Sequence, residues 1–411
     1  MKEQQYLGIK SLLERVEKGS GFYKAKFQKH GISASDIKTP EDFKKLPFTT
    51  KEELREAYPL NIQAVDDSEI VRIHSSSGTT GLPIIIPYTK NDVDDWAEMM
   101  MRCYQIAGIT KLDRIHITPG YGLWTAGIGF QAGCERLGAM AIPMGPGNTD
   151  KQIQMMIDLK STVLTSTSSY ALLLAEEIER RGIKDKIHLK KGVIGSERWG
   201  DKMRNRIKNE LGISLYDIYG LTEIYGPGIS ISCDEENGLH YFDDYLYFEI
   251  VDPVTGENLP EGELGELVIT TFRKEGAPLI RYRTHDLTRL ISGECRCGCK
   301  YPRHDVILGR SDDMIKVKGV NIYPGQIEDV LKLVEGASSE YQIVIGHIEG
   351  KDRMLLRVEK EQGVSSEELE MRIAQTFKSK IGIKIDAEVV ALGELPRSEK
   401  KSKRIIDNRY S

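Results

Sequence analysis

Between residues 162 and 219 the chain repeats one pattern. The short apolar runs Thr162–Thr165, Gly192–Gly195 and Ile213–Tyr219 are separated by helical spacing over 169–181 and 200–211. Strand and helix alternating roughly every 25 residues dictate βαβ units, with a parallel sheet and helices packed outside it. Open sheets of this kind bind ligands beyond the carboxyl ends of their strands. Chemistry is therefore expected in the loops after Ser166, Gly195 and Tyr219.

The rest of the chain divides around that core. Residues 1–60 read as helices and loops, with Thr50 and Glu53 spaced as a capping box. Val93, Trp96, Met100, Cys103, Tyr104 and Ala107 follow helical spacing, which makes Met99–Met101 core filling. Strands are expected over 245–251, 265–271 and 279–283, with turns at Asp252-Pro and Gly256-Glu-Asn, as a smaller antiparallel β unit. Beyond 309–313 come a helix over 326–334, a hairpin of 341–348 and 353–360, a helix opened by Ser365 and Glu368, and a strand over 387–392. The fold class is α/β: a large domain over 1–311 with parallel sheets and a β unit, and a small mobile α+β domain over 312–411. Two or three domains suit 411 residues.

Composition excludes several functions. Fifty-seven basic against 62 acidic residues give 57 − 62 = −5, not the basic excess of a nucleic-acid binder. No run of about 18 apolar residues is long enough to span a membrane. Met1-Lys-Glu-Gln-Gln has no apolar leader core, so a cytoplasmic setting is expected.

Five segments carry chemistry. Small hydroxyl residues and glycines at Ser75, Ser76, Ser77, Gly78, Thr79, Thr80 and Gly81 suit an anion, because the backbone can curl close to phosphate. This is not a Walker A loop, since Gly-x4-Gly-Lys-Ser/Thr is absent. Tyr219-Gly220-Leu-Thr222-Glu223 puts a hydroxyl and a carboxylate at a strand's carboxyl end, oxygen ligands that magnesium shares with phosphates. Arg281-Tyr-Arg-Thr-His-Asp286-Leu sets a carboxylate among bases, which suits either a sugar diol or a structural ion pair. Gly309-Arg310-Ser-Asp312 lies at the domain boundary, and Pro396-Arg-Ser-Glu-Lys-Lys401-Ser-Lys-Arg forms a basic tail. Gly127-Ile-Gly-Phe-Gln-Ala is passed over as a dinucleotide fingerprint, because no clear strand, helix and acidic residue follow as that motif requires.

In this order the five segments resemble the adenylate-forming superfamily. Pro47-Phe-Thr-Thr-Lys-Glu-Glu-Leu-Arg, Tyr121-Gly-Leu-Trp-Thr-Ala-Gly, Gly309-Arg-Ser-Asp-Asp-Met and Val320-Asn-Ile-Tyr-Pro are similar to the phenylacetate–coenzyme A ligase branch over nearly the whole chain. The resemblance implies an acyl adenylate made from an aryl acid and ATP, then a thioester with coenzyme A. By matching motifs, Ser75–Gly81 cradle pyrophosphate, Thr222 meets the α-phosphate and Glu223 holds Mg²⁺. Gly195, Ser196 and Glu197 form the adenine loop with Tyr219 against the base. Asp286 takes the ribose hydroxyls, Arg310 assists there, and Lys401 is the adenylation lysine. Tyr121, Trp124, Ala126 and Gly127 line the acid pocket, Asp312 is the hinge, and Gly319 faces the coenzyme A side. Leu82 stands where the family has lysine, and Lys400 where it has glycine. Relatives imply a homodimer. The alternatives are an adenylation enzyme loading a carrier, expected as a separate chain since no carrier domain follows Ser411, and a non-catalytic nucleotide-binding relative.

Cys295, Cys297 and Cys299 crowd into one turn, and Cys233 and His240 lie upstream. A Cys-x6-His pair and a Cys-x-Cys pair supply the four N or S ligands of structural zinc. Sets using Cys299 or His304 remain open on spacing. The branch's Cys-Pro-Cys-Gly-Arg selects Cys295 and Cys297.

Overall fold

The computed structural model describes residues 1–76, 82–197, 199–317, 320–348, 351–398 and 404–409. Two compact units emerge: Met1–Gly145 with Ser161–Thr165 and Tyr216–Ile307, and Pro146–Lys160 with Ser166–Leu215 and Leu308–Ser411. No helix among the described residues is long and apolar enough to cross a membrane.

In the first unit, strand Arg114–Ile117 pairs in parallel with Met140–Pro143 and Val163–Thr167. Helices Lys90–Ile106 and Thr125–Leu137 belong to the same unit. Trp96, Met99 and Met100 are fully buried, as the helical spacing requires. The segment passed over as a dinucleotide fingerprint lies inside the second of these helices. A Cβ on Gly129 would sit 2.3 Å from the Trp96 ring, so that glycine serves close helix packing. Strand Ser214–Leu221 turns back as an antiparallel neighbour, Gly226–Ser232, which sequence reading did not anticipate. Leu239–Tyr241, Arg303–His304 and Leu290–Ile291 extend that ladder in turn.

The β unit is a meander of Tyr247–Val251, Gly265–Thr270 and Tyr282–Thr288. Its third strand starts three residues later than expected from Leu279. The cause is Arg281, whose φ of 46° breaks the extended run. Its side chain turns inward to Glu249 at 3.1 and 3.2 Å and donates to the carbonyls of Lys44 and Leu46, both at 2.9 Å. Its guanidinium carbon lies 4.1 Å from the centre of the Phe48 ring.

In the second unit, helix Ser168–Arg180, strand Lys191–Gly195 and helix Asp201–Leu211 follow the sequence pattern closely. After Leu308 come the expected helix (Pro324–Lys332), hairpin (Ala337–Ile348 and Lys351–Lys360), helix (Ser366–Ile381) and strand (Asp386–Val390). Ser365 sits at the N-cap, but its side chain makes no capping hydrogen bond. Just past the basic tail comes a strand that the sequence did not announce: Ile405–Asp407 pairs in parallel with Ile343–Ile345. Ile343, Ile345, Leu356, Leu369, Ile373 and Phe377 are the centre of this core. Arg397 is held by Glu359 and Glu176, each through two contacts of 2.8–3.0 Å.

The Arg281–Glu249 pair is almost fully buried. Removing one partner leaves an uncompensated charge, which costs about 3–5 kcal/mol. Arg281→Met is therefore expected to lose that much stability in a urea titration followed by intrinsic fluorescence. A loss below about 1 kcal/mol would show that the pair does not anchor the 44–48 segment.

Candidate active site

The turn joining Ser214–Leu221 to Gly226–Ser232 is tight because only glycine fits at its corners. A Cβ on Gly220 would lie 2.0 Å from the Gly226 carbonyl oxygen, and one on Gly226 would lie 2.4 Å from the Trp96 ring. Gly226 also holds φ at 114°. Thr222 and Glu223 are thus presented on a constrained turn. The Thr222 hydroxyl lies 3.2 Å from that of Thr125, the residue after Trp124. The Glu223 carboxylate is buried, with the Lys51 ammonium 3.5 Å away. Lys51 opens helix Lys51–Glu56, and the capping box of Thr50 and Glu53 forms as expected.

Behind the turn lies a fully buried lysine that the sequence did not single out. Lys274 donates to the carbonyl of Ile224 and lies 3.5 Å from that of Glu223, with the rings of Tyr88 and Tyr225 at 4.4 and 4.9 Å. Burial draws its ammonium down to about 7, while Asp92 and Glu223 pull the other way.

Tyr219 donates from its hydroxyl to Asp286 at 2.6 Å, and the Asp286 backbone N–H is held by Thr284 Oγ1 at 3.0 Å. Both side chains are therefore oriented before any ligand arrives. In the Ser/Thr/Gly segment, Ser75 N–H donates to the Leu123 carbonyl at 2.9 Å, and Ser76 exchanges two bonds with Ile84. Ser77, Gly78, Thr79, Thr80 and Gly81 lie outside the described residues. In the 121–127 segment, the Tyr121 hydroxyl is buried without a partner among the described residues, and Trp124 is 46 % exposed. Ala126 and Gly127 open helix Thr125–Leu137, where a Cβ on Gly127 would lie 2.7 Å from the Gly120 carbonyl oxygen.

In the second unit, Gly195 ends its strand and Ser196 takes a φ of 71°. The Glu197 carboxylate accepts from Ser168 Oγ (3.0 Å), Ser169 N–H (2.9 Å) and Ser169 Oγ (3.0 Å). Its side chain therefore stabilises the start of helix Ser168–Arg180, a role the motif does not announce. Arg310 pairs with Asp312 through two bonds of 2.9 Å. Lys401 and Gly319 lie outside the described residues.

The Cys/His cluster comes together from the end of strand Gly226–Ser232, the strand Leu239–Tyr241 and the turn at 295–297. Ligand atoms of Cys233, His240, Cys295 and Cys297 all lie within 4.8 Å of one another. The Cys233 and Cys295 sulfurs are 3.7 Å apart, and Cys297 Sγ is 3.3 Å from His240 Nε2. Tetrahedral zinc with bonds of about 2.3 Å to sulfur and 2.0 Å to nitrogen sets those separations near 3.8 and 3.5 Å, so the cluster fits. His240 Nδ1 donates to the Tyr301 carbonyl at 2.7 Å, which turns the Nε2 lone pair toward the thiols. His304 is excluded from the set: Ser230 Oγ and the Asp305 carbonyl, each at 2.7 Å, occupy its two nitrogens.

The sequence pattern of the AMP-binding enzyme family matches residues 15–272, and that of the AMP-binding enzyme C-terminal domain matches 319–409. The phenylacetate–coenzyme A ligase of Pseudomonas putida is 40% identical, over 100% of this chain and 95% of its own. That of Escherichia coli (strain K12) is 41% identical, over 98% of this chain and 93% of its own. Among solved structures, 2-hydroxyisobutyryl-CoA ligase in the postadenylation state, in complex with 2-HIB-AMP, superposes with a TM-score of 0.90 at 28% identity, covering 98% of this chain and 89% of that one. The chain belongs to the AMP-binding enzyme family. Within it, the chain falls in the phenylacetate–coenzyme A ligase branch and is an AMP-forming acid–coenzyme A ligase.

His74, near the end of strand Ile70–Ser75, is buried against Tyr88 and Trp96, with Nε2 unpartnered among the described residues. Burial lowers it to about 4. Its unfolded value is near 6.5, so above that pH both states are neutral. As pH falls from about 6.5 toward 4 the unfolded state takes up a proton that the folded state refuses, and stability drops by about 1.4 kcal/mol per pH unit. The stability advantage of the parent over His74→Gln should shrink by roughly 3 kcal/mol across that window. A constant difference in urea titrations at pH 7 and pH 4.5 would contradict this.

Proposed function

We propose that the aryl acid is phenylacetate or a close relative, and that the first half-reaction takes place over the Thr222–Glu223 turn. The acid's carboxylate oxygen attacks the α-phosphorus of ATP and pyrophosphate leaves. The sulfur of coenzyme A then attacks the acyl carbon and AMP leaves. The observation that carries this reading is the 3.2 Å approach of Thr222 to Thr125. It brings the α-phosphate hydroxyl to the head of the helix that follows Tyr121–Trp124, where carboxylate and phosphorus must meet. Ser75–Gly81 cradle the departing pyrophosphate and Lys401 offsets charge at the α-phosphate. Asp286, oriented by Tyr219, takes the ribose with Arg310. Gly195, Ser196 and Glu197 border the adenine, with Gly220 in the backbone beside it. The apolar Tyr121, Trp124, Ala126 and Gly127 take the ring. Magnesium would be held at the Glu223 carboxylate, an oxygen ligand suited to it, and neutralises phosphate charge when bound. Lys51 supplies positive charge beside Glu223, in a chain whose phosphate loop has Leu82 in place of lysine. The boundary at 311/312, with Asp312 as hinge and Gly319 on the coenzyme A side, completes the reading, together with a cytoplasmic homodimer.

Acid-dependent ATP–pyrophosphate exchange over phenylacetate, its hydroxylated forms, indoleacetate and benzoate tests this, followed by thioester formation. Phenylacetate should exchange best and yield the thioester. Exchange without thioester would favour loading of a separate carrier, and no exchange with any acid would favour a non-catalytic relative. Lys401→Ala should lower exchange about 10²–10³-fold while sparing thioester formation from preformed adenylate. Equal loss in both steps would overturn its role.

The Cys233, His240, Cys295 and Cys297 cluster is assigned to structural zinc, with all four positions filled by protein. Protein purified without chelator should carry about one zinc per chain, and Cys233→Ser with Cys295→Ser should lose it. Less than about half a zinc in the parent, or unchanged content in the variant, would refute the assignment.

A further inference from the structure

We infer that Lys274 is a positioning residue for adenylation: it ties down the backbone at Glu223 and Ile224 and so fixes where the Thr222 hydroxyl and the Glu223 carboxylate point. The inference rests on the reading that these two groups meet the phosphates and magnesium. Lys274 is 1 % exposed, and no ion pair joins it to a carboxylate among the described residues. Stripping water from an ammonium is costly, and a methionine would pack between two tyrosine rings without that cost. What lysine adds is hydrogen-bond donors, and they reach main-chain carbonyls of the turn that carries the site. Charged or neutral, the amine has at least two donors, so the contact does not depend on its protonation.

The lysine is itself held in place. Its backbone N–H donates to the Thr271 carbonyl at 3.2 Å. The buried Asp92 carboxylate accepts from the backbone N–H groups of Glu275 at 2.7 Å and Gly276 at 2.8 Å, which fixes the loop just after Lys274. From the other side, the Tyr88 hydroxyl donates to the Tyr225 carbonyl at 2.9 Å. Three consecutive carbonyls, at Glu223, Ile224 and Tyr225, are thereby gripped from one aromatic pocket. Groups that stabilise developing charge work only if oriented beforehand, and a displacement of about 1 Å can cost 10²-fold in rate.

The test compares Lys274→Met with Glu223→Gln in the full chain. It uses three readouts: ATP–pyrophosphate exchange, thioester formation from preformed acyl adenylate, and calorimetric binding of α,β-methylene-ATP against magnesium concentration. Lys274→Met should lower exchange about 10²-fold, raise the magnesium needed for half-maximal analogue binding about tenfold, and leave the thioester step within about threefold. If Glu223→Gln shifts exchange and magnesium dependence while Lys274→Met shifts neither, the inference fails and the reading of the turn stands. If Glu223→Gln shifts neither, the reading itself fails and the inference with it. Equal loss in both half-reactions of Lys274→Met makes the lysine merely structural and overturns the inference. Should Lys274→Met not fold, Lys274→Gln decides, because the shorter amide withdraws the donors from the Glu223 and Ile224 carbonyls while keeping a polar group in the pocket. A loss confined to exchange and magnesium dependence supports the inference, and an even loss or none overturns it.

Discussion

The close approach of Gly220 and Gly226 is the constraint from which the site follows. A side chain at Gly220 would strike the Gly226 carbonyl across the turn, and one at Gly226 would strike Trp96 and Thr125. Removing both side chains leaves room for Trp96, which fills the space under Gly226 and donates from its indole nitrogen to the Pro227 carbonyl at 2.8 Å. Tyr88 stacks on Trp96 with ring centres 5.7 Å apart, and His74 meets both rings edge-on. The strand Ile70–Ser75, the helix Lys90–Ile106 and the Thr222–Glu223 turn are therefore joined through one aromatic cluster. An error at the glycines would reach all three, because packed interiors relax only partly around a new atom.

Around that cluster, buried charge is used to fasten main chain. Asp92 accepts from backbone groups at Thr89, Glu275 and Gly276, linking a helix start to a loop far along the chain. Arg281 does the reverse, donating to carbonyls at Lys44 and Leu46. Arg397 fastens the segment ahead of Lys401 to Glu359 and Glu176 within the second unit. Each group bridges segments that helix and sheet ladders leave unconnected, and each satisfies backbone atoms that would otherwise be costly to bury.

Patterns with a short period were legible in the sequence, and long-range fasteners were not. The helices over 169–181 and 200–211 appear within a residue or so, because apolar periodicity and burial agree there. Ligand chemistry and spacing made a Cys/His cluster legible but left Cys299 and His304 open, and the resemblance to the ligase branch selected Cys233, His240, Cys295 and Cys297, the four that lie together. Leu279 misled as a strand start, since nothing local reveals that Arg281 adopts positive φ to reach Glu249. Ile405–Asp407 was hidden by the basic residues around it, its pairing being set by a strand some sixty residues earlier. Lys274 left no signal at all: one lysine in a polar turn looks solvated, and only the fold closes two tyrosines over it. Glu197 was legible as part of a loop motif but not as the carboxylate that secures Ser168 and Ser169.

The position of the cysteine cluster also limits what a metal there can do. Cys233 directly follows the strand that begins at Gly226, and His240 lies on the next strand of the same ladder. Seven extended residues at about 3.3 Å each place the cluster roughly 23 Å from the turn along that strand. A cation held there by these four ligands would have no open position and, so far away, would neither polarise a phosphate nor activate a water. It can still matter to the reaction through the strand itself. The strand whose far end meets the cluster begins beside Thr222 and Glu223, so a metal joining the four ligands would steady one end of the ladder while Trp96 and Lys274 hold the other.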